Sequence, residues 1–234
     1  MKNKKALIFI AHPDDEVACG GTIAKLVQNG NQVVVAIATD GRNGTHNYNV
    51  SPEEISQTRK KEMKNAADVL GVNHVIWMDF QDGTLEFNLS KLKESAFKII
   101  REEKPDIVFT FDPWKRWDPH SDHRTIGFVA VEAAYLADGC WYYPQHIEQG
   151  IEPHNVLETF LFHSDEPNYF NNIKDNFETK INAANEHKSQ SLQFDSFGEK
   201  YLNGQKSRMK SEKELYIEAF CKMNNSDISL EGNG

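Results

Sequence analysis

Two short runs of this chain concentrate residues able to bind a metal or move a proton: His12-Pro13-Asp14-Asp15-Glu16 and His120-Ser121-Asp122-His123. Imidazole and carboxylate suit divalent zinc, and the same groups serve as general acids and bases. Each run has a plainer reading when taken alone. Asp14, Asp15 and Glu16 would cap and complement the start of a helix, and His120 and His123 would be ordinary loop histidines. Together they favour a site. Both follow segments that read as strands, and ligands in an open parallel sheet bind beyond the carboxyl ends of the strands. Other catalytic signatures are absent. Gly20-Gly21 lacks the spacing of a dinucleotide fingerprint, and neither a phosphate loop nor a GxSxG elbow occurs. A metal-activated water is therefore favoured over a serine or cysteine nucleophile.

The elements that must position these runs alternate. Leu7–Ala11 reads as a buried strand, followed by a helix from about Glu16 to Asn29 that Gly30 stops. Val33–Ala38 is the second strand. Ser51-Pro52-Glu53-Glu54 opens a helix running to Leu70, with a capping hydroxyl, Pro at the first position and Glu three residues on. Val75–Met78, a helix over Ser90–Glu103, Ile107–Phe111 and a helix over Asp122–Ala137 follow. The second half is less regular. Val156–Phe162 reads as a strand, Asp175-Asn176-Phe177-Glu178 as a capping box for a helix to Gln190, and Ser211–Met223 as a last amphipathic helix. This pattern predicts a single α/β domain with a mostly parallel, Rossmann-like sheet and helices on both faces. The domain is expected over 1–223, with a polar, frayed tail over 224–234.

Composition narrows the function. The chain has 234 residues, of which 26 are Lys or Arg and 35 are Asp or Glu, giving a net charge of −9. That balance disfavours sequence-independent nucleic-acid binding. Three cysteines, Cys19, Cys140 and Cys221, without a CxxC spacing, are neither a disulfide framework nor a cysteine zinc site. The lysines at 2, 4 and 5 and the apolar run after them mimic a signal peptide, but the run is short and ends in the His12–Glu16 cluster. No segment approaches the roughly 20 apolar residues of a membrane helix. The expectation is a cytoplasmic protein that uses no membrane or nucleic-acid partner, with self-association left open.

The sequence Ala11-His12-Pro13-Asp14-Asp15-Glu16, paired with His120-Ser121-Asp122-His123, resembles the PIG-L/LmbE-type N-acetylglucosaminyl deacetylases. Arg59–Glu62 resembles the family's RxxE helix, and Phe111-Asp112-Pro113-Trp114 its Asp-Pro turn. Gly150–His154, Lys180 with His187-Lys188-Ser189-Gln190, and Tyr216–Phe220 resemble later segments. Ser121 stands where proline is common in the family. The resemblance implies a zinc-dependent hydrolase that removes an N-acetyl group from an amino sugar or its conjugate. It implies one divalent metal, zinc with ferrous iron as second candidate, on His12, Asp15 and His123. It makes Asp14 the general base, His120 the oxyanion stabiliser and donor to the leaving amine, and Asp122 the residue orienting a histidine. Two imidazoles and a carboxylate leave positions open for water and an acetyl carbonyl, which fits those roles.

Candidates for the sugar site are Arg42, Arg59, Asp112, Trp114 and His187. The arginines would bond sugar hydroxyls or an anionic aglycone, or else form surface or helix ion pairs. Trp114, Trp117 and Trp141 would stack on a sugar or simply pack. His187 would face the pocket or pack, with packing favoured. His46, His74, His146 and His163 have no motif support. Two competing readings remain. His120 and Asp122 with a distal His163 or His187 would make a non-haem iron triad, which belongs to jelly rolls and not to alternating strands and helices. A non-catalytic glycan- or nucleotide-binding module is the other, against which stands the full set of site residues.

Overall fold

The computed structural model describes residues 3–191, 195–206 and 212–225. Its elements in order are β1 (Lys5–Ile10), α1 (Gly20–Gln28), β2 (Gln32–Thr39), α2 (Pro52–Leu70), β3 (His74–Phe80), α3 (Leu89–Glu103) and β4 (Ile107–Phe111). Then come α4 (Ser121–Leu136), a short α5 (Pro144–Glu148), β5 (Glu158–Phe162), β6 (Tyr169–Asn172), α6 (Phe177–Asn185), α7 (Phe197–Lys206) and β7 (Ile217–Asn224). The seven strands form one sheet in the order β3-β2-β1-β4-β5-β7-β6. The first five strands pair in parallel, and β7 pairs antiparallel with both β5 and β6.

The expected single α/β domain is what forms. Leu7, Ile8, Phe9 and Ile10 of β1 and Val33 to Ile37 of β2 are fully buried. Unbroken apolar runs of this kind mark strands covered on both faces. Helices α1, α2 and α6 pack together, as do α3 and α4. The chain moves outward from β1 through β2 to β3, then returns to β4 on the other side of β1. With right-handed crossovers, that reversal sends the helices to opposite faces and opens a crevice between the carboxyl ends of β1 and β4. The start of α2 is held as expected: the Ser51 hydroxyl accepts the Glu54 amide at 3.2 Å, while the Glu54 carboxylate accepts the Ser51 amide at 2.8 Å.

The structure departs from expectation in four places, three of them in the second half. The last amphipathic helix over Ser211–Met223 is instead a short 3-10 turn, Glu212–Tyr216, followed by β7, while Ser211 lies outside the described residues. In β7 the buried residues Glu218 and Phe220 alternate with more exposed neighbours, a period of two that fills the sheet between β5 and β6. Asn224 pairs with Glu158 in the sheet. Buried Asn225 donates its side-chain amide to Val156 O at 3.0 Å and Ala134 O at 3.3 Å, so both belong to the domain. The rest of the expected tail, 226–234, lies outside the described residues. Helix α6 ends at Asn185, short of Gln190, and its start carries no side-chain cap. The first helix is preceded by a 3-10 turn, Asp15–Cys19. Among the described residues no helix is long and apolar enough to cross a membrane.

Strand β7 is fastened to α1 by buried charge. The Glu218 carboxylate accepts the Gly21 amide at 3.0 Å and the Thr22 amide at 2.7 Å, two donors at a helix start that lack intrahelical partners. It also accepts Lys180 Nζ from α6 at 2.5 Å, with both side chains almost wholly buried. Glu218→Ala leaves that ammonium dry and unpaired. Its expected cost is about 3–5 kcal/mol in denaturant unfolding, whereas joint replacement of Glu218 and Lys180 by apolar residues costs far less.

Candidate metal centre

The two histidine- and carboxylate-bearing runs meet at the carboxyl edge of β1 and β4. Asp15 folds the first one back on itself: its Oδ2 accepts the Ala11 amide at 3.1 Å and the His12 amide at 2.7 Å. The same oxygen lies 3.5 Å from His12 Nδ1, and Oδ1 lies 3.6 Å from His123 Nε2. His12, Asp15 and His123, 108 residues apart in sequence from Asp15 to His123, therefore converge. His123 arrives on the first turn of α4 and stacks on Phe111 of β4, with ring centroids 4.1 Å apart. His120 stacks on His123 at 4.4 Å and lies 4.5 Å from the His12 ring.

Among the described residues, the ligand atoms close enough to share one cation fall into two overlapping groups: His12, His120 and His123, and His12, Asp82 and Asp122. Buried His12 belongs to both. Its Nε2 sits 3.2 Å from Asp82 Oδ1 and 3.4 Å from Asp122 Oδ2, yet makes no aligned hydrogen bond. An orphaned buried nitrogen is costly in a native fold. A ring with carboxylates and further imidazoles converging on it fits a divalent cation.

Electrostatics separate the carboxylates. Burial pushes the Asp14 carboxyl up to about 6, against the pull of Arg59. Asp15 is equally buried, but the imidazoles of His12 and His123 and the His12 amide hold it far below the usual range. Asp82 and Asp122 are also lowered against burial, chiefly by His12, and Asp122 accepts the Gly83 amide at 2.7 Å and the Leu85 amide at 3.2 Å. Burial opposes protonation of His12, but Asp122, Asp15 and Asp82 raise it well above 6.5. His120 is lowered by burial and by the neighbouring His12 and His123, which favours a neutral ring.

Asp82 and Asp118 were not picked out from the sequence. Asp82 follows β3 at the same rim, the position that a parallel sheet gives to ligand-facing residues. Asp118 Oδ2 lies 3.3 Å from His123 Nδ1, its Oδ1 accepts the His120 amide at 3.0 Å, and its carbonyl accepts Arg124. It sits in an irregular stretch with no periodicity to reveal it.

The residues expected to meet a sugar are dispersed. Arg59 is buried inside α2. Its Nη1 donates to Gly41 O at 2.9 Å, and its Nη2 to Pro13 O at 2.5 Å and Asp14 Oδ1 at 3.1 Å. Arg42 is partly exposed and forks onto Asp40, with both Nε and Nη2 2.7 Å from Oδ2. Asp112 accepts the Trp114 amide at 2.9 Å, and Asp112 and Trp114 line a groove with Lys115, Asp165 and Cys221 that includes none of the three histidines. Trp117 and Trp141 are among the most exposed aromatics. His187 is fully buried, with Nε2 2.5 Å from Glu16 Oε1, so it does not join His120 and Asp122.

Comparison with known proteins agrees with this arrangement. The family profile described as PIG-L, GlcNAc-PI de-N-acetylase, matches residues 7–134. The diacetylchitobiose deacetylase of Thermococcus kodakarensis is 37% identical over 188 residues, which cover 80% of this chain and 70% of that protein. A probable N-acetyl-alpha-D-glucosaminyl L-malate deacetylase 2 of Bacillus cereus is 32% identical, over 80% of this chain and 84% of its own. The solved N,N'-diacetylchitobiose deacetylase of Pyrococcus horikoshii superposes with a TM-score of 0.88 at 32% identity, covering 96% of this chain and 85% of the other. On the matched profile, the shared sequence and the shared fold, this chain belongs to the PIG-L, GlcNAc-PI de-N-acetylase family.

Proposed function

We propose that this protein is a zinc-dependent hydrolase of the amide C–N bond in an N-acetylglucosamine-type amino sugar or its conjugate. The observation that carries it is the meeting of His12, Asp15 and His123 at one rim, where the Asp15 carboxylate lies between two imidazoles, 3.5 Å from His12 Nδ1 and 3.6 Å from His123 Nε2. The relatives act, by their names, on diacetylchitobiose and on N-acetylglucosaminyl malate, which supports the amino-sugar class. Zinc on those three side chains would supply Lewis acidity to the acetyl carbonyl and a lowered pKa for water.

The residues divide the remaining work. Asp14, beside Asp15 and raised by burial, accepts the proton of the attacking water. His120, on the helix start one turn before His123, donates a hydrogen bond to the amide oxygen as charge develops there, then, as a neutral ring, relays the proton that Asp14 took from water to the departing nitrogen. Asp122, 3.4 Å from His12 Nε2, and Asp118, 3.3 Å from His123 Nδ1, fix imidazole orientation.

Acetate release from N,N'-diacetylchitobiose and from N-acetylglucosaminyl malate, with zinc present, tests the reaction. No release from N-acetylated amino sugars overturns it. Ligand and donor are separable by elemental analysis. His123→Ala should lose tightly held zinc, while His120→Ala should keep it and lose about 10²–10³-fold in kcat. Loss of zinc from His120→Ala would instead put the His12, His120 and His123 group around the metal.

The pH dependence follows from Asp14. A base must be ionised to accept a proton, so kcat/KM rises with pH through its pKa. Burial sets that value at about 6, and a cation bound alongside favours the carboxylate and lowers it. The acidic limb is expected at or below pH 6. Asp14→Asn should remove it and lower kcat/KM about 10²–10⁴-fold.

A further inference from the structure

We propose that His187 is a positioning residue for the reaction: acting through Glu16, it holds the backbone of Asp14 so that the Asp14 carboxylate stands where a base is needed. This rests on the reading of Asp14 as the base.

Asp14 has a φ of 117° and a ψ of −17°, a conformation that residues with a side chain rarely adopt. Such a residue persists only where its surroundings over-determine it. Here its amide donates to Glu16 Oε2 at 3.1 Å, and Arg59 Nη2 grips both the Pro13 carbonyl before it and its own carboxylate. Glu16 is fully buried, and a dry carboxylate needs a partner to remain in place. His187 supplies it, with Nε2 2.5 Å from the other oxygen, Oε1. The pair spans 171 residues of chain. Without His187, Glu16 Oε1 loses its partner, the carboxylate is free to turn away, and the Asp14 amide loses its acceptor.

The rest of the same turn points the same way. Ser189 donates its amide to Glu62 Oε1 at 2.8 Å and its hydroxyl to Glu62 Oε2 at 2.7 Å. Gln190 donates to the Gly44 carbonyl at 3.0 Å. Glu62 lies one helical turn beyond Arg59 on α2, and Arg59 bonds Gly41. The turn therefore touches the loop after β1, the loop after β2 and the helix that grips Asp14. The segments Arg59–Glu62 and His187–Gln190, to which no step of the chemistry falls, become the frame for one carboxylate.

A double-mutant cycle on the full, zinc-loaded chain separates this from a merely structural role. His187→Ala should lower kcat about 10–100-fold with KM and zinc content near wild type. In an Asp14→Asn background the same change should cost less than about twofold, because there is no base left to misplace. The Asp14 amide, followed by hydrogen exchange in metal-free protein, should exchange at least about tenfold faster in His187→Ala. His187→Gln, whose amide can reach Glu16, should recover most of the lost kcat. Equal losses in the two backgrounds, or an unchanged kcat in His187→Ala, would overturn the proposal. If His187→Ala does not fold, Glu16→Gln, which preserves side-chain volume, enters the cycle with the same deciding outcomes. Wild-type activity in Asp14→Asn would instead sink the base assignment itself, whatever His187 does.

Discussion

The constraint on which this structure turns is the burial of like charge. A crevice between β1 and β4 collects Asp14, Asp15, Glu16, Asp82 and Asp122, half-buried or buried, and carboxylates crowded away from water cannot all stay ionised unaided. Each receives partners of its own, and Asp82 takes the Asn43 amide. Asp15 takes two backbone amides and two imidazoles, and Asp122 takes the Gly83 and Leu85 amides. Glu16 takes His187, and Asp14 takes Arg59. These assignments fix where the loops after β1, β2 and β3 run. They also leave the His12 and His123 imidazoles on either side of the Asp15 carboxylate, where the proposed function puts a cation.

The two adjacent aspartates show how environment divides work between identical side chains. Asp14 and Asp15 share burial, and burial alone would raise both. The imidazoles and the His12 amide reverse the sign for Asp15, making it a carboxylate at any working pH, as a ligand should be. Arg59 offsets burial only in part for Asp14, which remains near the range where a base exchanges protons usefully. The backbone supports the split, because the left-handed turn at Asp14 sends consecutive side chains in different directions.

The first half of the fold was legible because its signals are local. Continuous apolar runs gave β1, β2 and β4, and the Ser51 capping box gave α2. The second half was not, because β7 is a strand by pairing and not by propensity. Ile217–Asn224 contains Glu, Ala, Lys and Met, which suit a helix, and the gap between β5 and β6 overrules them. At the site, residue types and strand ends placed His12, Asp15, His120 and His123 at one rim. Asp82, Asp118 and the inward course of Arg59 and His187 depend on which loops touch, and spacing along one chain does not carry that information. Arg59 illustrates the loss: an arginine on a highly charged helix reads as a surface ion pair, yet here it lies in the interior with carbonyl oxygens as acceptors.

The same device is used twice along the segment from Asp14 to Thr22. Before the 3-10 turn, buried Glu16 accepts the Asp14 amide. After it, buried Glu218 accepts the Gly21 and Thr22 amides. Each carboxylate is matched by a basic side chain from α6 or just beyond it, Lys180 for Glu218 and His187 for Glu16. Helix α6 packs against α1 and α2, so both pairs lie along one contact face. A loop carrying a non-glycine residue at positive φ has no regular ladder of its own to hold it. Pinning it at both ends by pairs from one helix and the turn that follows it makes its shape a property of the core and not of the surface. That explains why an acidic protein places so many of its bonded charges inside. The rim needs carboxylates in fixed places, and only partners anchored in packed elements can hold them there.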